Sequence, residues 1–255
     1  MQPFKGNKSL SKKQTKFYKA MRKIIPLFIA IGVTSIFLNS CTKEDNPNTN
    51  KSEQGLTDGD GNTYDSIVIG NQVWMKQNLK TTKYNDGSVI ENVPDTAVWA
   101  DALTGAFCNY ENEDTLDDVY GKLYNWYAVN TGKLCPNGWH VATSNDWNVL
   151  ADYLGGAEIA SDKLRETGDE HWVSPNTGAT DEVDFTALPG GIRFSDGVYF
   201  LGNIDGNWWT STKDTSCPGN LNKYGVVKTM ISGQPQIIST AYSYRCGLSV
   251  RCIKN

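Results

Sequence analysis

Histidine is almost missing: His140 and His171 are the only two in 255 residues. A three-histidine metal site or a histidine-cluster catalyst cannot be built from two. No CxxC pair occurs, which removes the commonest thiolate zinc site, and no GxSxG elbow offers either histidine a nucleophile. Basic charge is also scarce once the first forty residues are set aside. Residues 1–40 hold eight Lys and Arg and no acid, leaving 16 Lys and Arg against 28 Asp and Glu, a formal charge of −12 over residues 41–255. Such a surface repels phosphate backbones and anionic headgroups, so a nucleic-acid partner is excluded as a leading reading. Long apolar runs are confined to one place, and no internal repeat is visible.

That one run is residues 24–38 (IIPLFIAIGVTSIFL), 15 uncharged residues preceded by Met21-Arg22-Lys23. It has the n-region and h-region of a secretory signal and is short for a bilayer span. It closes with Leu38-Asn39-Ser40-Cys41, which resembles the bacterial lipobox and makes Cys41 the expected lipid attachment residue. Residues 21–40 then read as a lipoprotein signal peptide and 1–20 as an over-extended start. Residues 41–57, polar and poor in apolar side chains, read as a flexible tether. Lys43-Glu44-Asp45 behind the cysteine resembles the acidic signal that sends lipoproteins of the Bacteroidetes group to the cell surface. The expected location is therefore the outer membrane or cell surface, with the membrane as a partner through the lipid.

Residues 58–255 are enough for one domain with a substantial core. Ile67-Val68-Ile69 and Val73-Trp74-Met75 flank Gly70-Asn71-Gln72, and Asn85-Asp86-Gly87-Ser88 separates two further short runs, so the domain opens as a β meander. Thr143 and Asp146 have capping-box spacing, and Trp147, Leu150, Ala151 and Leu154 follow at helical spacing before Gly155-Gly156. A second helix is expected over about 158–166 with Ile159 and Leu164 inward, and another around Ala97–Ala100. From Asp184 onward short strands broken by glycine are expected: Phe185–Leu188, Val198–Leu201, Trp208–Thr210, Tyr224–Ile231, Gln236–Tyr242 and a closing Leu248–Ile253. Strands segregated from few helices indicate an α+β domain with a mainly antiparallel sheet. Trp74, Trp126, Trp139 and Trp147 are assigned to the core.

With Cys41 given to lipid, five cysteines remain, so at most two disulfides form. Cys135 with Cys252 is the preferred pair because each flanks a strand of the proposed core, and Cys217 with Cys246 is the second choice. A redox role for Cys246 and Cys252 has little support, since their spacing is not that of a redox pair and no base adjoins them in sequence.

Seven strings occur in order: Asp58–Tyr64 (DGDGNTY), Ile69–Leu79 (IGNQVWMKQNL), Tyr120–Val129 (YGKLYNWYAV), Cys135–Val141 (CPNGWHV), Phe185–Arg193 (FTALPGGIR), Gly206–Thr212 (GNWWTST) and Gly247–Cys252 (GLSVRC). Together they resemble the Fibrobacter succinogenes major paralogous domain, a family of exported and often lipidated bacterial proteins. The resemblance implies an architecture more than a chemistry. The strings at 138–141, 208–209 and 249–252 also look like the C-type-lectin-like fold shared with formylglycine-generating enzymes. Sugar-binding lectins of that fold hold Ca²⁺ through Glu-Pro-Asn or Gln-Pro-Asp with Trp-Asn-Asp. This chain offers only Gln234-Pro235-Gln236, so those ligands are missing. Cys246 and Cys252 do not match the reactive pair of the formylglycine-generating enzymes.

Asp58, Asp60 and Asn62 alternate as the oxygens of a Ca²⁺ loop do, but position 69 is Ile where the bidentate Glu would stand, so a turn is the better reading and Ca²⁺ a weak one. No cofactor is otherwise expected. Adjacent Trp208 and Trp209 cannot both face inward on a strand, because side chains alternate across it. One of them, with loop-borne Trp172 and the polar Asp205, Asn207 and Asp214, forms a candidate sugar-stacking site, the alternative being partly buried corner tryptophans. The paired carboxylates of an acidic chain read as solvated surface. The expected role is a non-catalytic binding or adhesion module for an extracellular glycan or protein. A glycan-active or oxidase-like enzyme and a structural subunit of a surface complex are the alternatives.

Overall fold

The computed structural model describes residues 53–200, 202–216 and 223–255, all within a compact unit spanning Asn48–Asn255. The expected signal peptide, residues 21–40, and the expected lipid attachment residue Cys41 lie outside the described residues.

The fold is α+β, with mostly antiparallel sheets and short helices. Fourteen strands run β1 (Glu53–Thr57), β2 (Thr63–Ile69), β3 (Gln72–Met75), β4 (Glu91–Asn92), β5 (Ala106–Asn109), β6 (Lys122–Asn125), β7 (Trp139–Val141), β8 (Ile192–Arg193), β9 (Tyr199–Phe200), β10 (Asp205–Lys213), β11 (Tyr224–Ile231), β12 (Ile238–Ser243), β13 (Gly247–Leu248) and β14 (Cys252–Lys254). The helices are α1 (Thr96–Asp101), α2 (Asp117–Tyr120), α3 (Trp126–Val129), α4 (Ser144–Tyr153) and α5 (Ala157–Leu164). One sheet has the order β1-β2-β3-β14-β7, a second β10-β11-β12 and a third β4-β5-β6-β13-β8-β9. Among the described strand pairs only β4–β5 is parallel, and isolated parallel bridges join Arg165 to Ala187 and Trp208 to Ser249.

The β2–β3 hairpin turns where expected, with Gly70 at φ 60°, a left-handed value that glycine adopts without a Cβ penalty. Helix α4 starts at the predicted capping box: the Thr143 hydroxyl accepts from the Asp146 N–H at 3.1 Å, and the Asp146 carboxylate accepts from the Thr143 N–H at 2.8 Å. Satisfying two otherwise orphaned donors is worth about 1 kcal/mol. The helix buries Trp147, Leu150 and Ala151 against Trp74, Phe185 and Trp208 in the larger core. A smaller core gathers Val93, Trp99, Ala106, Cys108 and Leu123, with Tyr110 and Tyr199 packed on it.

Cys135 and Cys252 form the preferred disulfide, with Cα atoms 6.0 Å apart. Of the second pairing, Cys246 is a buried free thiol, and Cys217 lies outside the described residues. Four further expectations are corrected. Residues 53–57, read as the end of a tether, pair with β2 as strand β1. Ile159 is 44% exposed, because α5 turns Ala160 and Leu164 inward instead. Trp139 is half-buried rather than core. Phe185–Leu188 is not a strand: Asp184 and Thr186 take left-handed φ values of 56° and 50°, which bend the segment back on itself.

The closing segment is two strands rather than one. β13 belongs to the six-stranded sheet and β14 to the five-stranded sheet, and Ser249–Arg251 cross between them. Arg251, 1% exposed, anchors the crossing. Its Nε donates to Asn78 Oδ1 at 3.0 Å, Nη1 to the Phe185 and Met75 carbonyls at 2.7 and 3.3 Å, and Nη2 to the Thr186 carbonyl at 3.0 Å, while the guanidinium lies 4.3 Å from the Phe185 ring centroid. The bend at Asp184–Thr186 is what aims those two carbonyls at the arginine.

Candidate functional site

The expected ligand residues do not form a surface. Trp172, Asp205, Asn207, Trp208 and Trp209 are all at most 4% exposed. Strand β10 has no open face, which is why both adjacent tryptophans are inside. Trp208 enters the larger core, 5.8 Å from the Trp147 ring, and donates Nε1–H to Asn78 Oδ1 at 2.8 Å. Trp209 points the other way and donates to the Tyr124 carbonyl of β6 at 2.8 Å. Trp172 donates to the Ala187 carbonyl at 3.0 Å, and Asn207 is held by Thr229 Oγ1 at 2.8 Å. Burial pushes the Asp205 carboxyl up to about 7. Asp214 is half-buried and accepts from the Ser216 N–H at 3.0 Å in a local turn.

The Asp58–Asn62 loop uses its oxygens on the protein itself. Asp58 Oδ1 accepts from the Asp60 and Asn62 N–H groups at 2.9 and 3.0 Å, and Oδ2 accepts from the Tyr64 hydroxyl at 2.6 Å. Asp60 accepts from the Thr82 N–H and the Thr81 hydroxyl and pairs with Lys83 at 3.3 Å. These carboxylates close a turn, the reading preferred from sequence. Among the described residues no cluster of three metal-ligating side chains occurs.

What the structure brings together instead is a series of half-buried rings from four segments. Tyr199 of β9 meets Tyr110 with centroids 6.0 Å apart at 76°, Tyr110 meets Tyr120 at 6.0 Å and 51°, and Tyr120 meets His171 at 5.8 Å and 87°. Edge-to-face contacts of this kind fix rings beyond what burial alone does. The flanks are pinned as well. Tyr199 donates to Asn112 Oδ1 at 2.6 Å, and His171 Nδ1 lies 2.8 Å from both oxygens of Glu166. Gly202 leaves room for Tyr110, since a Cβ there would stand 1.6 Å from its hydroxyl.

Glu111 and Asn112, next to Tyr110, hold left-handed φ values of 52° and 59°. At Glu111 this costs about 1–2 kcal/mol that the surrounding contacts must hold in place, whereas asparagine adopts the region readily. Burial raises the pKa of all three tyrosines, helped at Tyr120 by Glu166 and Glu170, so their hydroxyls keep their protons at neutral pH. The adjoining segments are acidic: Glu111, Glu113 and Asp114 on one side, Glu166, Asp169 and Glu170 on the other. The arrangement brings half-buried aromatic rings beside carboxylates, groups that recognise a polyhydroxylated ligand, with the Tyr199 ring covered by the Arg193 guanidinium 4.9 Å from its centroid.

On the other side of α2 lie two depressions of about 230 Å³ each, which share Gln77, Asn78 and Val119. Both are smaller than the ~300–1,000 Å³ typical of enclosed small-molecule sites. The two free thiols do not fit a reactive role: burial raises Cys108, and pushes Cys246 up to about 12. His140 sits between Asp146 Oδ2 at 3.2 Å and Asn255 Oδ1 at 2.7 Å and ties β7 to the cap of α4.

Sequence reasoning missed the tyrosines. Tyr110 and Tyr120 bracket the acid-rich loop 111–118, and aromatics at both ends of a charged loop were the available signal.

The family model described as the Fibrobacter succinogenes major domain matches residues 67–254, which leaves the whole Asp58–Tyr64 string outside the match. No curated protein and no solved structure matches the chain.

Proposed function

Because the chain belongs to the Fibrobacter succinogenes major domain family, we propose that it is a lipid-anchored surface or outer-membrane protein whose domain is a non-catalytic binding module for an extracellular glycan. The carrying observation is the Tyr199–Tyr110–Tyr120–His171 series with its acidic flanks. It replaces the buried Trp208–Trp209 segment as the ligand face. Rings locked by one another need little ordering on binding, so contact with a sugar face is not spent on fixing side chains.

The signal-like run at 24–38, the Leu38–Cys41 string and a disulfide suited to an oxidising compartment support export. A C-type-lectin-like reading of the α+β fold is supported by β14, which lies between β3 and β7 and is bonded to the segment before β7 by Cys135–Cys252. On this reading no cofactor takes part, and the membrane is a partner only through the lipid on Cys41.

The test is a screen of the purified protein against polysaccharides and glycans, with and without Ca²⁺, alongside Tyr110→Ala and Tyr120→Ala. Removing one stacking ring is expected to weaken binding about tenfold or more. Failure of the folded protein to bind any glycan, or binding that both variants retain, would refute the glycan assignment.

A further inference from the structure

The sheet edges of the described fold are guarded unequally. β1 begins at Glu53 and shifts register against β2 between Gln54 and Leu56. β7 has three residues, β4 two, beginning at Glu91, and β9 two. Short length, charge and bulges are the devices that keep an edge from pairing with another chain. On its outer side β10 is covered by Ser249, whose carbonyl accepts from the Trp209 N–H at 3.0 Å.

β12 has none of these protections. It runs six residues, Ile238–Ser243, without charge, proline or glycine, and its register with β11 is unbroken from Thr229↔Ile238 to Tyr224↔Ser243. The Tyr244 N–H bonds the Lys223 carbonyl at 2.9 Å, so by alternation residues 238, 240 and 242 turn their backbone groups to β11 and residues 239, 241 and 243 turn theirs away. Among the described residues no strand and no hydrogen bond reaches the N–H groups of Ser239 and Ala241.

We propose that β12 pairs antiparallel with β12 of a second copy, about a two-fold axis at Ala241, joining two three-stranded sheets into one of six strands. Ala241 then faces its own copy, exchanging two outward backbone bonds, and Ser239 faces Ser243 across the axis, where the Ser243 carbonyl, which already accepts from the Cys246 N–H at 2.8 Å, takes a second bond on its other lone pair. Charge favours this occupant. The Ser243 end of the strand carries Lys213, Lys223 and Arg245 against Asp214 and Asp196, while Lys228, opposite Ser239, is buried with its ammonium on Asn148 Oδ1 at 2.9 Å. The Ile238 end adjoins the start of α5, where Ile237 N–H bonds the Ala157 carbonyl at 2.8 Å and exposed Glu158 follows. Antiparallel pairing sets the basic end of each copy against the acidic end of the other, while the strand between is uncharged. Elsewhere the acidic surface opposes self-association.

The test is sedimentation of the protein produced from the full chain, in detergent, from about 1 to about 100 µM, the range in which weak dimers dissociate. Ala241→Pro deletes an N–H that faces away from β11, a position at which an edge tolerates proline. By symmetry it removes two hydrogen bonds, and the dissociation constant is expected to rise at least about tenfold. Ala241→Lys places two ammonium groups opposite each other and is expected to do the same. Thermal melts report whether each variant is folded. Should neither fold, hydrogen exchange of the unmodified protein decides: amides of Ser239 and Ala241 protected at high concentration and exposed on dilution support the pairing. A monomer throughout, a dimer unaffected in folded variants, or exchange at 239 and 241 independent of concentration would overturn it.

Discussion

Replacing Arg251 by methionine tests whether the crossing between the two sheets depends on its guanidinium. Methionine keeps an unbranched apolar side chain but removes every guanidinium donor and the guanidinium contact with the Phe185 ring. The Phe185 and Thr186 carbonyls, which accept from Arg251 at 2.7 and 3.0 Å, are left without a partner, while Asn78 Oδ1 keeps its bond from Trp208. A buried carbonyl left unsatisfied costs about 1–3 kcal/mol, so two of them plus the weaker bond to Met75 give a loss of about 4 kcal/mol. The left-handed turn at Thr186 also loses a contact that holds it. For a domain of this size that is a fall in Tm of about 10 °C. Guanidinium unfolding followed by tryptophan fluorescence measures it. Arg251→Lys, with one compact donor group in place of the planar fork, is expected to recover less than half of the loss. A methionine variant within about 1 kcal/mol of the parent would show that the carbonyls find other partners and that the guanidinium is not the anchor.

Three more outcomes are expected. Reducing Cys135–Cys252, which spans 117 residues, lowers unfolding free energy by about 5 kcal/mol in the chain-entropy account, measured as the difference between denaturant midpoints with and without reductant; equal midpoints would contradict it. Asp205, raised by burial to about 7, favours the folded state below its unfolded value near 4 and loses that contribution as pH rises through 7, so Asp205→Asn is expected to be more stable than the parent at pH 8, by up to about 4 kcal/mol, and no more stable at pH 4. Thermal melts across pH 4–8 decide, and a parent whose stability is flat over that window would refute the burial argument. Thr143→Ala breaks the capping box of α4 and costs about 1 kcal/mol by chemical denaturation, whereas Thr143→Ser costs only a few tenths.

Features set by neighbours in the chain were readable from the sequence. Thr143 with Asp146 marks the start of α4 because a capping box is closed by residues three apart, and Gly70 marks a hairpin because its backbone needs no Cβ. Features set by distant layers were not. The alternation rule that sent either Trp208 or Trp209 outward assumes a strand with one open face, and β10 has core on one side and Tyr124 on the other. Phe185–Leu188 has strand-like composition, but Arg251, 65 residues away from Thr186, takes the carbonyls that a ladder would have used. The ring series is drawn from positions 110, 120, 171 and 199, and no spacing rule joins four separate segments. Its chemistry was legible only as a wealth of aromatics whose placement the fold decides.

The position of β14 has a kinetic consequence. Residues 252–254 do not lie at the margin of their sheet but between β3 and β7, so Ile253 pairs with Trp74 across nearly the whole domain. Until that strand arrives, the β1–β2–β3 meander and β7 share no ladder, and Cys135 has no partner sulfur. A chain emerging from a ribosome therefore stays without its central sheet until the closing segment is free. Contacts this remote close slowly, on the millisecond-to-second scale typical of β-rich topologies.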